Sequence, residues 1–330
     1  MVLALIERLP VELIQPIFIL SGCNVALPQV SNPIAIKLSA RWIYDDTCTQ
    51  HLTQHPTTYH DDRRFQSQQQ THIFACKWMT WEYFKNWVMR RFGDNGCLCG
   101  KTKKTGCFDP IWPPHFEDAT GMVYSRSHLP AIAWVTGRLP VKLLHGPWNE
   151  DKVQFLRFLL WTTAMTVNWA DSEVLRLTRE GRREALITRN LEVVELFNHN
   201  RRLGRWPTLE SVRLAVFEGG CDRSIVYDLM LMARTSGVGG DDWTCVMLDA
   251  WCEEKIAAGD PKGTWLQTKL KELRVTYEPG NGDWQNGTGK QGTKYGHMDS
   301  KTGDYEDVDG DKLVIHQHRW NLVSDIIFLF

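Results

Sequence analysis

The sequence predicts a mainly α protein, on three observations. Apolar residues recur at spacings of three and four through most of the 330-residue chain. Capping residues, Pro and Gly punctuate those stretches at helix-length intervals. Only one short stretch, Tyr305 to Ile315 around Asp309-Gly310, has the pattern of two strands and a tight turn. The expected architecture is a small N-terminal helical unit, a larger domain of packed helical hairpins, and a small C-terminal β-hairpin. A hydrophobic fraction of 43% against 23% charged residues excludes wholesale disorder. Lys plus Arg number 38 and Asp plus Glu 39, a net charge of -1, which argues against nucleic acid or an anionic membrane as the main partner. No apolar run approaches the roughly 20 residues of a membrane helix.

In chain order, residues 8 to 39 read as two or three short helices. Pro10 suits a first helical position and Glu12 a first turn, and Leu13, Ile14, Ile17 and Phe18 follow at helical spacing. Pro16 is expected to kink or shorten that helix. Gly22 and Asn24 mark a stop and a restart, and Pro33 opens a further apolar segment. Glu7, Arg8, Pro10, Glu12 and Pro16 interrupt the apolar N-terminus, so it is not expected to be a secretory signal. Residues 49 to 70, rich in His, Gln and Asp, read as an exposed polar linker. Thr71 to Phe92 reads as one amphipathic helix with a stripe of Phe74, Trp78, Trp81, Phe84, Trp87 and Val88. Residues 93 to 121 read as a loop, and 128 to 148 as short apolar pieces broken by Pro and Gly.

From Asn149 the pattern is plainly helical. Glu150 to Val167 is apolar nearly all round and is expected at the centre of the fold. Asp171 to Arg201 follows, capped by Asp171 or Ser172; then come helices opening at Thr208-Leu209, Ser224, Asp242 and Gly263, the first closed by Gly219-Gly220. Asn190 to Phe197 and Thr208 to Ala215 share the order polar-Leu-Glu-x-Val-charged-Leu at an offset of 18 residues. The second of these, with the turn Gly219-Gly220-Cys221-Asp222 after it, resembles the second helix of an ankyrin repeat, although the ankyrin period is about 33. The expected domain is therefore a set of helical hairpins, in part ankyrin-like. The division expected along the chain is 1–48, a linker at 49–70, a helical domain at 71–278, and a loop with the C-terminal hairpin at 279–330. The apolar end Ile326-Ile327-Phe328-Leu329-Phe330 is expected to dock onto the body.

Fifteen tryptophans are spread along the chain and are expected mostly in cores and packed loops. Nine cysteines, odd in number and scattered, suggest reduced thiols and an intracellular protein of cytoplasm or nucleus. The sequon Asn286-Gly287-Thr288 is then a chance match.

Residues 9 to 38 resemble an F-box, most closely those of filamentous fungi. The carrying residues are Leu9-Pro10-x-Glu12-Leu13, Ile17-Phe18, Leu20, Leu27 and Val30-Ser31. The chain departs from the pattern at Pro16, and at Asn32-Pro33-Ile34, where the family has a basic and then an aromatic residue. The resemblance covers about a tenth of the chain. A unit that small cannot bury its own apolar faces and needs a partner or a covering domain. The partner it implies is the Skp adaptor of a cullin-RING ubiquitin ligase, held by Leu9, Pro10, Leu13, Ile17, Phe18 and Val30. The implied function is a substrate receptor with no bond chemistry of its own, the helical domain holding a protein target. Alternatives are a helical interaction scaffold in which residues 9 to 38 are simply the first hairpin of the main domain, and an enzyme with a site on the loop 93–121. For the target-binding face, the inter-helix turns carry a Trp beside charge at Arg205-Trp206 and Asp242-Trp243. Arg205 and Trp206 have the composition of a binding hot spot, with helix-end packing as the alternative.

Other constellations point to no cofactor. Cys97, Cys99, Cys107 and His115 have zinc-ligand chemistry but no standard zinc spacing, so no metal is expected there. His316-x-His318 with its acidic neighbours lacks the EF-hand order and reads as a solvated hairpin. Gly287-Thr288-Gly289-Lys290 lacks P-loop spacing, and no hydrolase, zincin or kinase signature is present, so no catalytic residue is nominated.

Overall fold

A computed structural model describes residues 4–53, 60–93, 132–239 and 241–275, and the four residues of two short strands. The described residues are mostly helical, as expected. The chain divides into two compact units, Met1–Gly181 and Arg182–Phe330.

Unit 1 opens with α1 (Leu5–Arg8), α2 (Val11–Leu20), α3 (Leu27–Val30), α4 (Asn32–Lys37) and α5 (Arg41–Cys48). Pro16 lies inside α2, which nonetheless runs ten residues. Both Pro16 and Glu12, whose carbonyl loses its helical donor, are exposed, so water can take the vacated bond. The first turn of α4 tolerates Pro33 because its N–H groups have no intrahelical partner in any case. Ile14, Phe18, Cys23, Ile34, Leu38 and Ile43 form a buried cluster, with Ile6, Leu9 and Leu27 packed on it. Polar ties close the ends: the Lys37 ammonium donates to the carbonyls of Glu7 (2.5 Å) and Leu9 (2.7 Å), and Gln15 Nε2 donates to the Lys37 carbonyl (2.8 Å).

Beyond α5 the described parts of the expected linker at 49–70 are helical: Thr49–Thr53 continues as a π-helical turn and α6 spans His60–Ala75, while residues 54–59 lie outside the described residues. His51, Leu52, Gln69 and Gln70 are buried. The polarity that suggests a linker is consumed internally. Gln69 Oε1 accepts from the Val25 N–H at 3.0 Å, and His51 Nε2 meets the Cys23 carbonyl at 3.1 Å. Gln70 donates to the His51 carbonyl and accepts from the N–H groups of Thr136 and Gly137. Buried amides in such networks are as structural as apolar contacts.

The single helix expected over Thr71–Phe92 is two. Helix α6 ends at Ala75, and α7 (Trp81–Phe92) begins after a turn, with Thr80 Oγ1 accepting from the Tyr83 N–H at 3.2 Å. The turn is held by Lys142, whose ammonium donates to the carbonyls of Cys76 (2.6 Å) and Met79 (2.8 Å). The aromatic stripe survives the break. Phe84 packs 5.5 Å from Phe74, 5.8 Å from Trp87 and 5.3 Å from Phe155 between ring centroids. Phe155 belongs to α8 (Glu150–Thr162), started by Asn149, which accepts from the Lys152 N–H at 2.9 Å. Every residue of α8 from Val153 to Thr162 is buried, which makes it the central helix that its all-round apolar pattern predicts.

The division between the units falls in α9 (Ser172–Ile187), which Asp171 caps through the N–H groups of Glu173 and Val174. The helix expected over Asp171–Arg201 is therefore also two, because Arg189, at φ 56, ends α9 in the left-handed conformation. The compact units thus do not follow the expected domain 71–278.

Unit 2 continues with α10 (Leu191–His199), α11 (Leu209–Phe217), α12 (Arg223–Thr235), α13 (Val246–Ala257) and α14 (Pro261–Val275). The two look-alike segments are α10 and α11, nine residues each, with Asn190 and Thr208 at equivalent caps. Helix α12 packs on both, and α13 packs on α14, so helical hairpins are present. The Gly219-Gly220 stop holds: Gly220 (φ 71) and Cys221 (φ 53) turn the chain, and Asp222 caps α12 through the Ile225 N–H at 3.1 Å. Arg189 Nε fastens that turn by donating to the Gly219 carbonyl at 2.7 Å. Strands β1 (Tyr305–Glu306) and β2 (Lys312–Leu313) pair antiparallel, Tyr305 opposite Leu313, as expected for a hairpin around Asp309-Gly310. The expectations for residues 94–131, for Gly287–Lys290, for His316 and His318 and for the apolar C-terminus lie outside the described residues.

Candidate partner-docking site

Helix α2 is built with two neighbouring stripes. Ile14 and Phe18, four residues apart, face the small N-terminal core and are buried. Leu13, Ile17 and Leu20 lie on the adjoining side and are 52%, 44% and 87% exposed. Two further exposed side chains, Val30 of α3 (71%) and Ile36 of α4 (72%), stand in the same small unit, together with Leu5 and Trp42. Isolated exposed aliphatics are ordinary; this many within the first 42 residues is the feature of the unit that a docking surface would use.

The residues nominated from the sequence therefore separate. Leu13, Ile17 and Val30 are exposed and available, and Pro10 is exposed at the start of α2, where its carbonyl accepts from the Leu13 and Ile14 N–H groups. Leu9 is half-buried against the core. Phe18 is a correction. It is 2% exposed and is a core residue, so it cannot touch a partner. Five-residue motif spacing does not distinguish it from Ile17, because a 100° step between neighbours puts one inward and the other outward. Leu20 and Ile36 are exposed positions that the residue-by-residue nomination omits, although the period of α2 places Leu20 with Leu13 and Ile17.

The second nominated pair is also revised. Trp206 is half-buried, and the guanidinium over its ring is that of Arg201, 4.9 Å from the centroid, rather than that of Arg205. Arg205 contributes its carbonyl, which accepts from Arg182 Nη1 at 2.9 Å. Arg182 also donates to Asn198 Oδ1 at 2.7 Å, and Asn198 in turn donates to Asp228, which pairs with His199 at 2.6 Å. Burial pulls the Arg182 guanidinium down to about 10, against which the Asp228 carboxylate acts. This network anchors the 201–206 turn. Trp243 is buried, and its carbonyl accepts from Arg274, so that tryptophan closes a helix end.

The cysteines for which the structure gives burial are free thiols. Burial raises the thiols of Cys23, Cys48 and Cys76, and pushes Cys221 up to about 12 and Cys252 up to about 11. Such thiols stay protonated at neutral pH and are poor nucleophiles and poor metal ligands. Cys97, Cys99, Cys107 and His115 lie outside the described residues; among the described ones no group of His, Cys, Asp and Glu could hold a metal ion. Among the described residues no helix is long and apolar enough to cross a membrane. No family model matches the chain, and neither a curated protein nor a solved structure matches it.

Proposed function

We propose that this chain is a substrate receptor of a cullin-RING ubiquitin ligase, engaging a Skp-type adaptor through the exposed face of α2 to α4 and a protein target through its helical units. The observation that carries the reading is the exposed apolar stripe Leu13, Ile17 and Leu20 on a helix whose other stripe is buried in the N-terminal cluster. The Leu9-Pro10-x-Glu12-Leu13 motif supplies the identity of the partner. The protein would act by proximity, raising the effective concentration of target lysines at the ligase. Its site of action is then the interior of the cell.

The test is co-purification with a Skp-type adaptor. Wild type should capture it; Leu13→Asp with Ile17→Asp should not, at an unchanged melting temperature, since both side chains already face water. Failure of the wild type to capture the adaptor would refute the reading.

A second reading is favoured by a specific observation. The Val25 and Cys23 backbone groups are bonded to Gln69 and His51, so the first helices are tied to α6 by buried hydrogen bonds. That is the arrangement expected of a helical interaction scaffold whose first hairpin belongs to a larger core.

A further inference from the structure

We propose that the cleft along α6 binds a phosphate monoester. Arg64, Ser67, Gln68, Thr71 and His72 stand at intervals of three, one, three and one residue, which places them on one face of the helix, and Arg138 closes the cleft from the other side. The cleft is shallow and open to solvent, with a volume of about 310 Å³, at the lower end of the roughly 300–1,000 Å³ of small-ligand sites. Among the described residues its lining holds two guanidiniums, an imidazole and an amide, with no carboxylate and no aliphatic side chain; the hydroxyls of Ser67 and Thr71 donate to backbone carbonyls and shape the wall. Such a wall suits a small, doubly charged, oxygen-rich ligand.

The arrangement is built, not incidental. Gly137 lies so close to α6 that a Cβ there would stand 2.9 Å from Gln70 Cβ. Gln70 Oε1 holds the Thr136 and Gly137 N–H groups, and the Arg138 N–H donates to Thr71 Oγ1 at 2.8 Å. The backbone that carries Arg138 is thereby fixed over the helix. Its side chain is steadied by one bond, Nη1 to Thr166 Oγ1 at 2.9 Å, out of the five donors a guanidinium offers. Among the described residues Arg64 meets no carboxylate. Two positively charged forks facing one small polar cleft, with neither paired to an acid among the described residues, match the planar, bidentate recognition of phosphate oxygens. The balanced charge of the whole chain and the small volume favour a single phosphate group over a polynucleotide. The inference does not depend on the ligase reading, since α6 and Arg138 lie outside the exposed stripe of α2.

The experiment is calorimetric titration of the full chain at low ionic strength, first with inorganic phosphate and then with a short peptide bearing one phosphoserine. Saturable binding is expected, weakened about tenfold or more by Arg64→Gln and by Arg138→Gln and unaffected by Arg179→Gln on the exposed side of α9. Arg64 is exposed, where substitutions usually change stability little, so it tests the site even if Arg138→Gln lowers stability. Equal affinity for both probes assigns the site to free phosphorylated small molecules, and tighter peptide binding assigns it to a phosphorylated protein. Absence of saturable binding to both probes, or equal losses in Arg64→Gln and Arg179→Gln, would overturn the proposal.

Discussion

The side-chain carbonyl of Gln69 accepts a hydrogen bond from the backbone N–H of Val25, 3.0 Å away and 44 positions back along the chain. The bond is buried, and it fastens the turn after α2 to the middle of unit 1. Removing its acceptor leaves an N–H with no water to replace it. Gln69→Ala should lower stability by about 1–3 kcal/mol. Urea denaturation checks this, and a shift smaller than the error of the extrapolation would contradict it. By the same argument a chain starting at Thr71, which lacks most of α6, should fail to melt cooperatively.

Phe18 and Ile17 are neighbours with opposite expected effects. Phe18→Ala empties part of the core formed with Ile14, Ile34, Leu38 and Ile43, and should destabilise by about 3–5 kcal/mol. Ile17→Ala, at a position 44% exposed, should change stability by less than about 0.5 kcal/mol. Equal effects of the two would place the stripes of α2 wrongly.

Lys142 gives a pH dependence with a definite sign. Burial, partly offset by Cys76, pulls its ammonium down to about 8 from the ordinary 10.5. The unfolded chain therefore holds that proton through a range in which the folded chain has released it, and stability gains with rising pH between about 8 and 10.5. The stability of the wild type relative to Lys142→Met should rise from pH 7.5 to pH 10. Denaturation midpoints of both proteins across that range measure it, and a flat difference would count against the burial of the ammonium.

Helix α14 approaches α13 closely at Gly263. A Cβ there would stand 2.7 Å from the Cys252 carbonyl oxygen and 2.8 Å from the Ile256 nitrogen, both backbone atoms that cannot swing aside. Gly263→Ala should destabilise by about 1–3 kcal/mol although alanine is the better helix former. A gain in thermal midpoint would refute the close approach.

The Arg201–Trp206 stack predicts an asymmetry between two nearby arginines. Arg201→Ala removes a guanidinium 4.9 Å from the indole and should lose about 0.5–1 kcal/mol. Arg205→Ala keeps the carbonyl that Arg182 holds and should lose less than about 0.5 kcal/mol. Thermal unfolding of the two variants decides it.

Much of the fold is legible in the sequence because it is local. The caps Asn149 and Asp171 act on N–H groups two or three positions ahead, whereas Thr80 and Asn190, which do the same, lie inside stretches whose periodicity runs on through the break. The stop at Gly219-Gly220 needs only a left-handed residue. The all-round burial of α8 follows from its lack of a polar face. The exposed face of α2 was partly legible: motif spacing marks Leu13 and Ile17, but the same spacing also marks Phe18, whose side is chosen by the helices packed against it.

The sequence by itself determined that the chain is mainly helical and where several helices start and stop, such as at Asn149, Asp171 and Gly219-Gly220, because each of these rests on neighbours within a few residues. Only the tertiary structure decided that Gln69 and Gln70 are buried rather than part of a linker, that the helix carrying the aromatic stripe breaks at Cys76–Met79 under Lys142, and that Arg201 rather than Arg205 covers Trp206. A buried glutamine and an exposed one have the same composition and the same spacing. What separates them is a partner such as the Val25 N–H, and that partner is brought within 3.0 Å only when distant parts of the chain have packed.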